Sequence, residues 1–289
     1  MANYHGKYTK PSRSRIYFWI GIGCAIPALV CAFFVGSFLV GAVRARNDRS
    51  QTIQTYVIPA AAVSETAAPE QMSNEETIPP LEVVAEPTEE TTVSTQPPRF
   101  PTIDFAGLRE KNTDVVAWLQ IPALEIIDYP VVLGEDNAYY TTHTWDKEES
   151  ENGAIFLDFR NQGDFSQIHN VIYGHCMKDG TMFQSLGEWE KESFQKTGDK
   201  TLLLYLPGET RVYEIFAVER VNALDSRVFK MDYTSGEDWE KALQETVRVS
   251  YMDSQVDLSG ASEVVTLSTC IGGMTRLVVH AVCVEKVPV

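Results

Sequence analysis

The chain lacks the short signatures of the commonest cofactor and metal chemistries. No Gly-rich phosphate loop and no dinucleotide fingerprint occurs, so nothing prepares a helix N-terminus for a nucleotide. C-x-x-C and H-E-x-x-H are absent too, and among cysteines and histidines only His175 and Cys176 are adjacent. A zinc site needs about four ligands at close spacings, so neither a metal nor a cofactor is expected. Basic residues are scarce: 24 Lys and Arg against 40 Asp and Glu leave a net charge of −16. Nucleic acid is therefore excluded as a partner, because neutralising phosphates requires clustered Lys and Arg. Glycine is missing from residues 51–98, a stretch rich in Thr, Ala, Pro and Glu. With few aliphatic side chains it cannot bury enough surface to offset the entropy of ordering.

Charge is missing altogether from Ile16 to Val43, an apolar run of 28 residues. As a helix it would be about 42 Å long, more than the roughly 30 Å hydrocarbon core of a bilayer. A cleaved signal peptide would have a shorter apolar region and a small-residue site, which Arg44-Ala45-Arg46 does not supply. Lys7, Lys10, Arg13 and Arg15 precede the run, while Arg44, Arg46 and Arg49 follow it, so charge gives a slight preference for a cytoplasmic N-terminus. The expected order is a cytoplasmic segment (1–15), a single transmembrane helix (16–43), a disordered Pro/Thr/Glu-rich stalk (44–101) and a catalytic domain (102–289). Eight glutamates and the pairs Pro79-Pro80 and Pro97-Pro98 favour an extended, self-repelling stalk that holds the domain off a membrane.

From Thr102 onward the pattern is one short strand after another, with turns carrying Gly, Pro, Asn or Asp. Strands are expected at Val115 to Ile121, Ile126 to Leu133, Ala154 to Asp158, His169 to Tyr173, Lys200 to Leu206, Arg211 to Ala223, Glu263 to Thr269 and Arg276 to Glu285. Such a set fits a closed barrel, which removes exposed edges. Helices are expected at Ile103 to Lys111, Asn137 to His143, Met182 to Trp189 and Gly236 to Tyr251. In the last, Trp239, Leu243, Thr246, Val247 and Ser250 form one stripe that should lie on the barrel.

Two apolar runs end on reactive groups. Leu267-Ser268-Thr269-Cys270 presents a thiol with Arg276 close behind it, and Asn170-Val171-Ile172-Tyr173-Gly174-His175 ends on a histidine. A free thiol, with a pKa of about 8.5, is only a few per cent thiolate at neutral pH, so a cysteine nucleophile needs an imidazole or a cation beside it. His175 and Arg276 are the candidates. Each residue also has a duller reading: an inert buried thiol, a structural loop histidine, a surface cation. His143 ends an expected helix and His169 begins a strand, whereas His280 shares a strand face with Arg276. Cys24 and Cys31 fall in the apolar run, Cys283 alternates with valines as a core residue would, and a disulfide between Cys176 and Cys270 would block the nucleophile.

The motifs resemble those of the sortases, cysteine transpeptidases of Gram-positive cell surfaces, and of class B in particular. Val264-Val265-Thr266-Leu267-Ser268-Thr269-Cys270 is similar to the family's TLxTC signature, Val171-Ile172-Tyr173-Gly174-His175 to its histidine segment, and Arg276-Leu277-Val278-Val279 to the arginine that opens its last strand. Weaker echoes are Asp114 to Leu119, Ile127 to Val132, Asp136-Asn137-Ala138-Tyr139-Tyr140 and Gly153 to Asp158. Two positions depart from the family: Cys176 stands where class B commonly has asparagine, and the loop Ile271 to Thr275 is short and glycine-rich.

The resemblance implies a mainly β, eight-stranded sortase barrel with peripheral helices, including a long one between the sixth and seventh strands. It implies a thioacyl enzyme on Cys270, with His175 as acid and base, Arg276 as donor to the substrate backbone or oxyanion, and Ser268 and Thr269 as substrate-positioning groups. The partners implied are a C-terminal sorting signal of an exported protein and an amine of peptidoglycan precursor or pilin. That places a single-pass protein in the cell membrane with an extracellular catalytic domain. The alternatives are a cysteine endopeptidase that releases to water and a surface-tethered binding module with a structural Cys270.

Overall fold

The computed structural model describes residues 13–60, 99–233 and 235–289. The chain divides into two compact units, Met1–Asp48 and Arg49–Val289. Helix α1, Arg13–Tyr56, dominates the first and runs on into the second. Its charge-free part is residues 16–43, and charged residues stand at both ends. The stretch Val30–Tyr56 is long and apolar enough to cross a membrane, a property a signal sequence shares.

Residues 44–56, expected within the stalk, are helical. The helix persists to Tyr56, and strand β1, Val57–Ile58, pairs antiparallel with β2, Thr102–Ile103. Ile53, Tyr56 and Val57 recur at helical spacing and join a hydrophobic cluster with Ile103, Leu108, Trp118 and Trp145. Averaged composition over the whole acidic stretch hid this short apolar patch. The expectations for residues 61–98 and for 1–12 lie outside the described residues.

Helix α2, Phe105–Lys111, follows, with the Asp104 carboxylate accepting from the Gly107 amide at 2.9 Å. Eight strands then close a barrel: β3 (Val115–Gln120), β4 (Asp128–Leu133), β5 (Ile155–Leu157), β6 (His169–Tyr173), β7 (Thr201–Leu206), β8 (Glu209–Asn222), β9 (Val264–Gly272) and β10 (Thr275–Pro288). The order around it is β10-β8-β7-β3-β4-β5-β6-β9. β4 runs parallel to β5 and β6 parallel to β9; the other pairings are antiparallel. Leu119, Val131, Ile172, Leu204, Ile215, Leu267 and Val279 fill the interior. The core is thus the inner half of each alternating strand.

Each expected strand is present; His169–Tyr173 keeps its expected ends and the others shift. β9 continues past Thr269 to Gly272 and forms a hairpin with β10, so Cys270 lies within a strand and not just beyond one. Two expected helices are instead 3₁₀ turns, Tyr139–Thr141 and Gln184–Glu190. Short 3₁₀ turns with i→i+3 bonds are common as connectors between longer elements. Helix α3, Glu192–Thr197, follows the second turn. The longer α4, Gly236–Val249, is capped by Ser235 and buries Trp239, Leu243 and Thr246.

Candidate active site

Parallel pairing of β6 with β9 sets Tyr173 level with Ser268, and the Gly174 amide donates to the Ser268 carbonyl at 3.2 Å. The strand pairing ends at Tyr173 and Ser268, two residues short of His175 on one chain and of Cys270 on the other. On the other flank, antiparallel β10 places Arg276 directly opposite Cys270. Strand side chains alternate: Ile172, Leu267, Leu277 and Val279 point into the barrel, so Tyr173, Ser268, Cys270 and Arg276 share its outer face. Cys270 is exposed, as a nucleophile must be.

The weaker sequence echoes turn out to hold the histidine. Asp136 caps the first 3₁₀ turn, its carboxylate accepting from the Ala138 and Tyr139 amides at 2.8 Å each. The Tyr140 phenol, fully buried, donates to Asp114 at 2.7 Å and accepts from Asn112 at 2.8 Å. That anchored turn presents the Thr141 carbonyl to His175 Nε2 at 2.8 Å. A carbonyl only accepts, so Nε2 carries the proton and Nδ1 is the basic atom of the neutral ring.

Two glycines make room for this arrangement. A Cβ at Gly174 would stand 2.5 Å from Ile155 and 2.7 Å from Phe183, which explains glycine between tyrosine and histidine. Gly153 has φ +59°, and a Cβ there would lie 2.5 Å from the Tyr140 carbonyl and 3.0 Å from the His175 ring. The turn from Gly174 is closed by the Phe183 amide donating to the His175 carbonyl at 2.9 Å, and Cys176 bridges to Met182.

The other candidates separate. Ser268 is on the face of Cys270, with its hydroxyl buried and unpartnered; Thr269 pairs with core residue Leu277 and faces the barrel interior. Thr269 therefore reaches a substrate only through its backbone. Cys176 and Cys270 are both free thiols, and burial, then the nearby Cys270, pushes the Cys176 thiol up. No cluster of three or more His, Cys, Asp or Glu able to hold a metal occurs among the described residues.

His280 and His169 belong elsewhere, to a buried network under α4. The Lys230 carbonyl accepts from His169 Nδ1 at 2.7 Å, so the Thr266 hydroxyl donates to His169 Nε2 at 2.8 Å and accepts from His280 Nδ1 at 2.8 Å. His280 Nε2 faces Glu219 at 3.3 Å, and Glu219 binds Arg227 through both oxygens, at 2.6 and 3.0 Å. The network ties the segment after β8 to the barrel. Burial pushes His169 down to about 4, so it is neutral at ordinary pH.

Comparison with known proteins agrees with this geometry. The family described as the sortase domain matches residues 119–284. Sortase B of Listeria monocytogenes is 37% identical over 168 residues, covering 58% of this chain and 67% of that protein. The solved sortase B of Clostridium perfringens is 34% identical, with a TM-score of 0.59 over 62% of this chain and 99% of that one. A Staphylococcus aureus sortase B–substrate complex is 28% identical, with a TM-score of 0.59 over 63% and 84% of the two chains. With the barrel, the strand order and two curated sortase B relatives in agreement, the chain belongs to the sortase family, as a class B enzyme and thus a cysteine transpeptidase of the kind that anchors surface proteins.

Proposed function

We propose that this chain, held by its apolar helix in a membrane with the barrel outside the cell, cuts a sorting signal and joins the new carboxyl end to an amine through Cys270. The observation that carries the reading is the register of three neighbouring strands: β6 and β9 run parallel up to Tyr173 and Ser268, two residues before His175 and Cys270, and β10 sets Arg276 opposite Cys270. The Cys270 thiolate attacks the scissile carbonyl, and the tetrahedral intermediate collapses with cleavage of the C–N bond. His175 Nδ1, which has taken the thiol proton of Cys270, passes it to the departing amine, and a thioester remains on the sulfur. An acceptor amine then loses a proton to His175 Nδ1 and attacks the thioester, breaking the C–S bond. The Arg276 guanidinium, charged at any working pH, donates to the oxyanion or the substrate backbone.

Substrate binding in the staphylococcal complex supports a sorting-signal peptide as the first partner. Ser268 shares the outer face with Cys270, and its fully buried, unpartnered hydroxyl supports a part in shaping the peptide site. The acceptor is an amine of cell-wall precursor or pilin. The test is mass spectrometry of products formed by the full chain from a fluorescent peptide with a Pro-containing sorting motif, with and without triglycine. Transfer predicts a product longer by the amine. Release of the free carboxylate alone, undiminished by millimolar triglycine, would make the protein an endopeptidase.

A further inference from the structure

Arg276 lies against a platform that the Cys/His/Arg set does not account for. Its guanidinium carbon is 5.6 Å from the centre of the Tyr173 ring, inside the roughly 6 Å reach of a cation–π contact. That ring is itself held on several sides. Phe156 packs at 5.4 Å, Phe229 stacks at 6.2 Å, and the phenol donates to Asp158 at 3.0 Å. Asp158 has no exposed surface and accepts from Arg160 Nε and Nη2 at 2.8 Å each, the Arg160 amide at 3.0 Å and Asn137 at 3.1 Å. A buried carboxylate with so many donors is a rigid acceptor.

We propose that Tyr173, fixed by Asp158, positions Arg276 beside Cys270 by carrying the guanidinium on its ring. The proposal rests on the reading of Arg276 as the group that assists Cys270. An arginine at the start of a strand has several free side-chain torsions, so what it lies against decides whether its fork meets the cysteine or drifts into water. Neither Tyr173 nor Asp158 touches the reacting atoms; both are positioning residues. Burial, then the neighbouring Asp158 charge, pushes the Tyr173 phenol well above its usual range. It stays a neutral donor and sets no anion next to the arginine. The same tyrosine contacts Phe229, so the segment after β8 adjoins the support of Arg276.

The test needs no knowledge of the sorting signal. The full chain in detergent is alkylated with iodoacetate or iodoacetamide, and modification of Cys270 is followed by peptide mass spectrometry. A cation beside the thiolate favours the anionic reagent, so the ratio of the two rates reads where the guanidinium sits. Arg276→Ala is expected to lower the ratio several-fold, and Tyr173→Leu to lower it comparably. Tyr173→Phe keeps the ring but loses its bond to Asp158, and should fall between wild type and Tyr173→Leu. In the Arg276→Ala background Tyr173→Leu should change nothing further, an outcome that general loosening of the fold would not produce. Should Tyr173→Leu fail to fold, Tyr173→Met and Asp158→Asn take its place, with a drop of at least twofold expected in each. A ratio unmoved by Arg276→Ala overturns the reading of the arginine and this proposal with it. A ratio that falls in Arg276→Ala but stays at the wild-type value without the Tyr173 ring overturns the positioning role alone.

Discussion

Replacing Tyr56 by alanine should weaken the barrel although Tyr56 precedes β3 by a long stretch of sequence. Its side chain is 7% exposed, meets the Trp145 ring edge-on at 5.7 Å and lies against Gly107. Its carbonyl accepts from the Asp104 amide at 2.9 Å, a bond that the substitution leaves in place. Burying an aromatic side chain removes about 150–250 Å² from water, roughly 4–6 kcal/mol at about 25 cal/mol/Å². Aromatic-to-alanine replacements in cores cost about 3–5 kcal/mol. We therefore expect Tyr56→Ala to lose about 3–5 kcal/mol, a large share of the roughly 5–15 kcal/mol typical of a domain. A chain starting at Thr102, which loses Ile53, Tyr56, Val57 and β1 together, should lose at least as much. One starting at Arg49 should unfold at the wild-type midpoint. The assay is urea unfolding followed by tryptophan fluorescence and fitted to ΔG and m. If Tyr56→Ala and the Thr102 chain unfold where wild type does, the end of α1 contributes nothing to the barrel and the extended domain boundary is wrong.

Two further outcomes follow from named groups. His169 is held near 4 in the folded chain and returns to about 6.5 when unfolded, so the unfolded state binds the extra proton between those values. Stability is unaffected by this group above pH 6.5 and falls by about 3 kcal/mol as pH drops to 4. Unfolding curves of His169→Asn should show a correspondingly shallower loss over that window, and an unchanged slope would refute the assignment. Arg276→Lys keeps the charge but loses the planar fork, and should reduce kcat/KM by about 10² to 10³, as removal of an oxyanion donor does. Turnover within a few-fold of wild type would pass the oxyanion role to backbone amides near Cys270.

The barrel was legible because its strands stand out as short, largely apolar runs between turn residues: Val264 to Leu267 and Leu277 to Ala281 are buried at every position, since both faces of these strands are covered. The candidate site was read from motifs, and the register adds that Arg276 stands opposite Cys270 on β10, a pairing that sequence separation conceals. The anchors of His175 were not legible. Asp114, Tyr140 and Thr141 act through a buried phenol and a backbone carbonyl, and neither leaves a periodic trace. The same holds for Asp158 and Tyr173, where a carboxylate in a core strand's sequel reads as an ordinary turn residue. The docked end of α1 was missed because three apolar side chains were averaged into a long acidic segment. Thr269 shows a limit of motif reading, since adjacency to Cys270 in sequence puts it on the opposite face of the strand.

The central claim is that Cys270 carries the acyl group, and trapping that group tests it most directly. The full chain is mixed for seconds with a Pro-containing sorting-signal peptide, quenched in acid, digested and weighed by mass spectrometry. The account predicts an acyl adduct on the peptide that contains Cys270, discharged by triglycine and absent from Cys270→Ala. An adduct on any other residue, or cleavage that persists undiminished in Cys270→Ala, would contradict it.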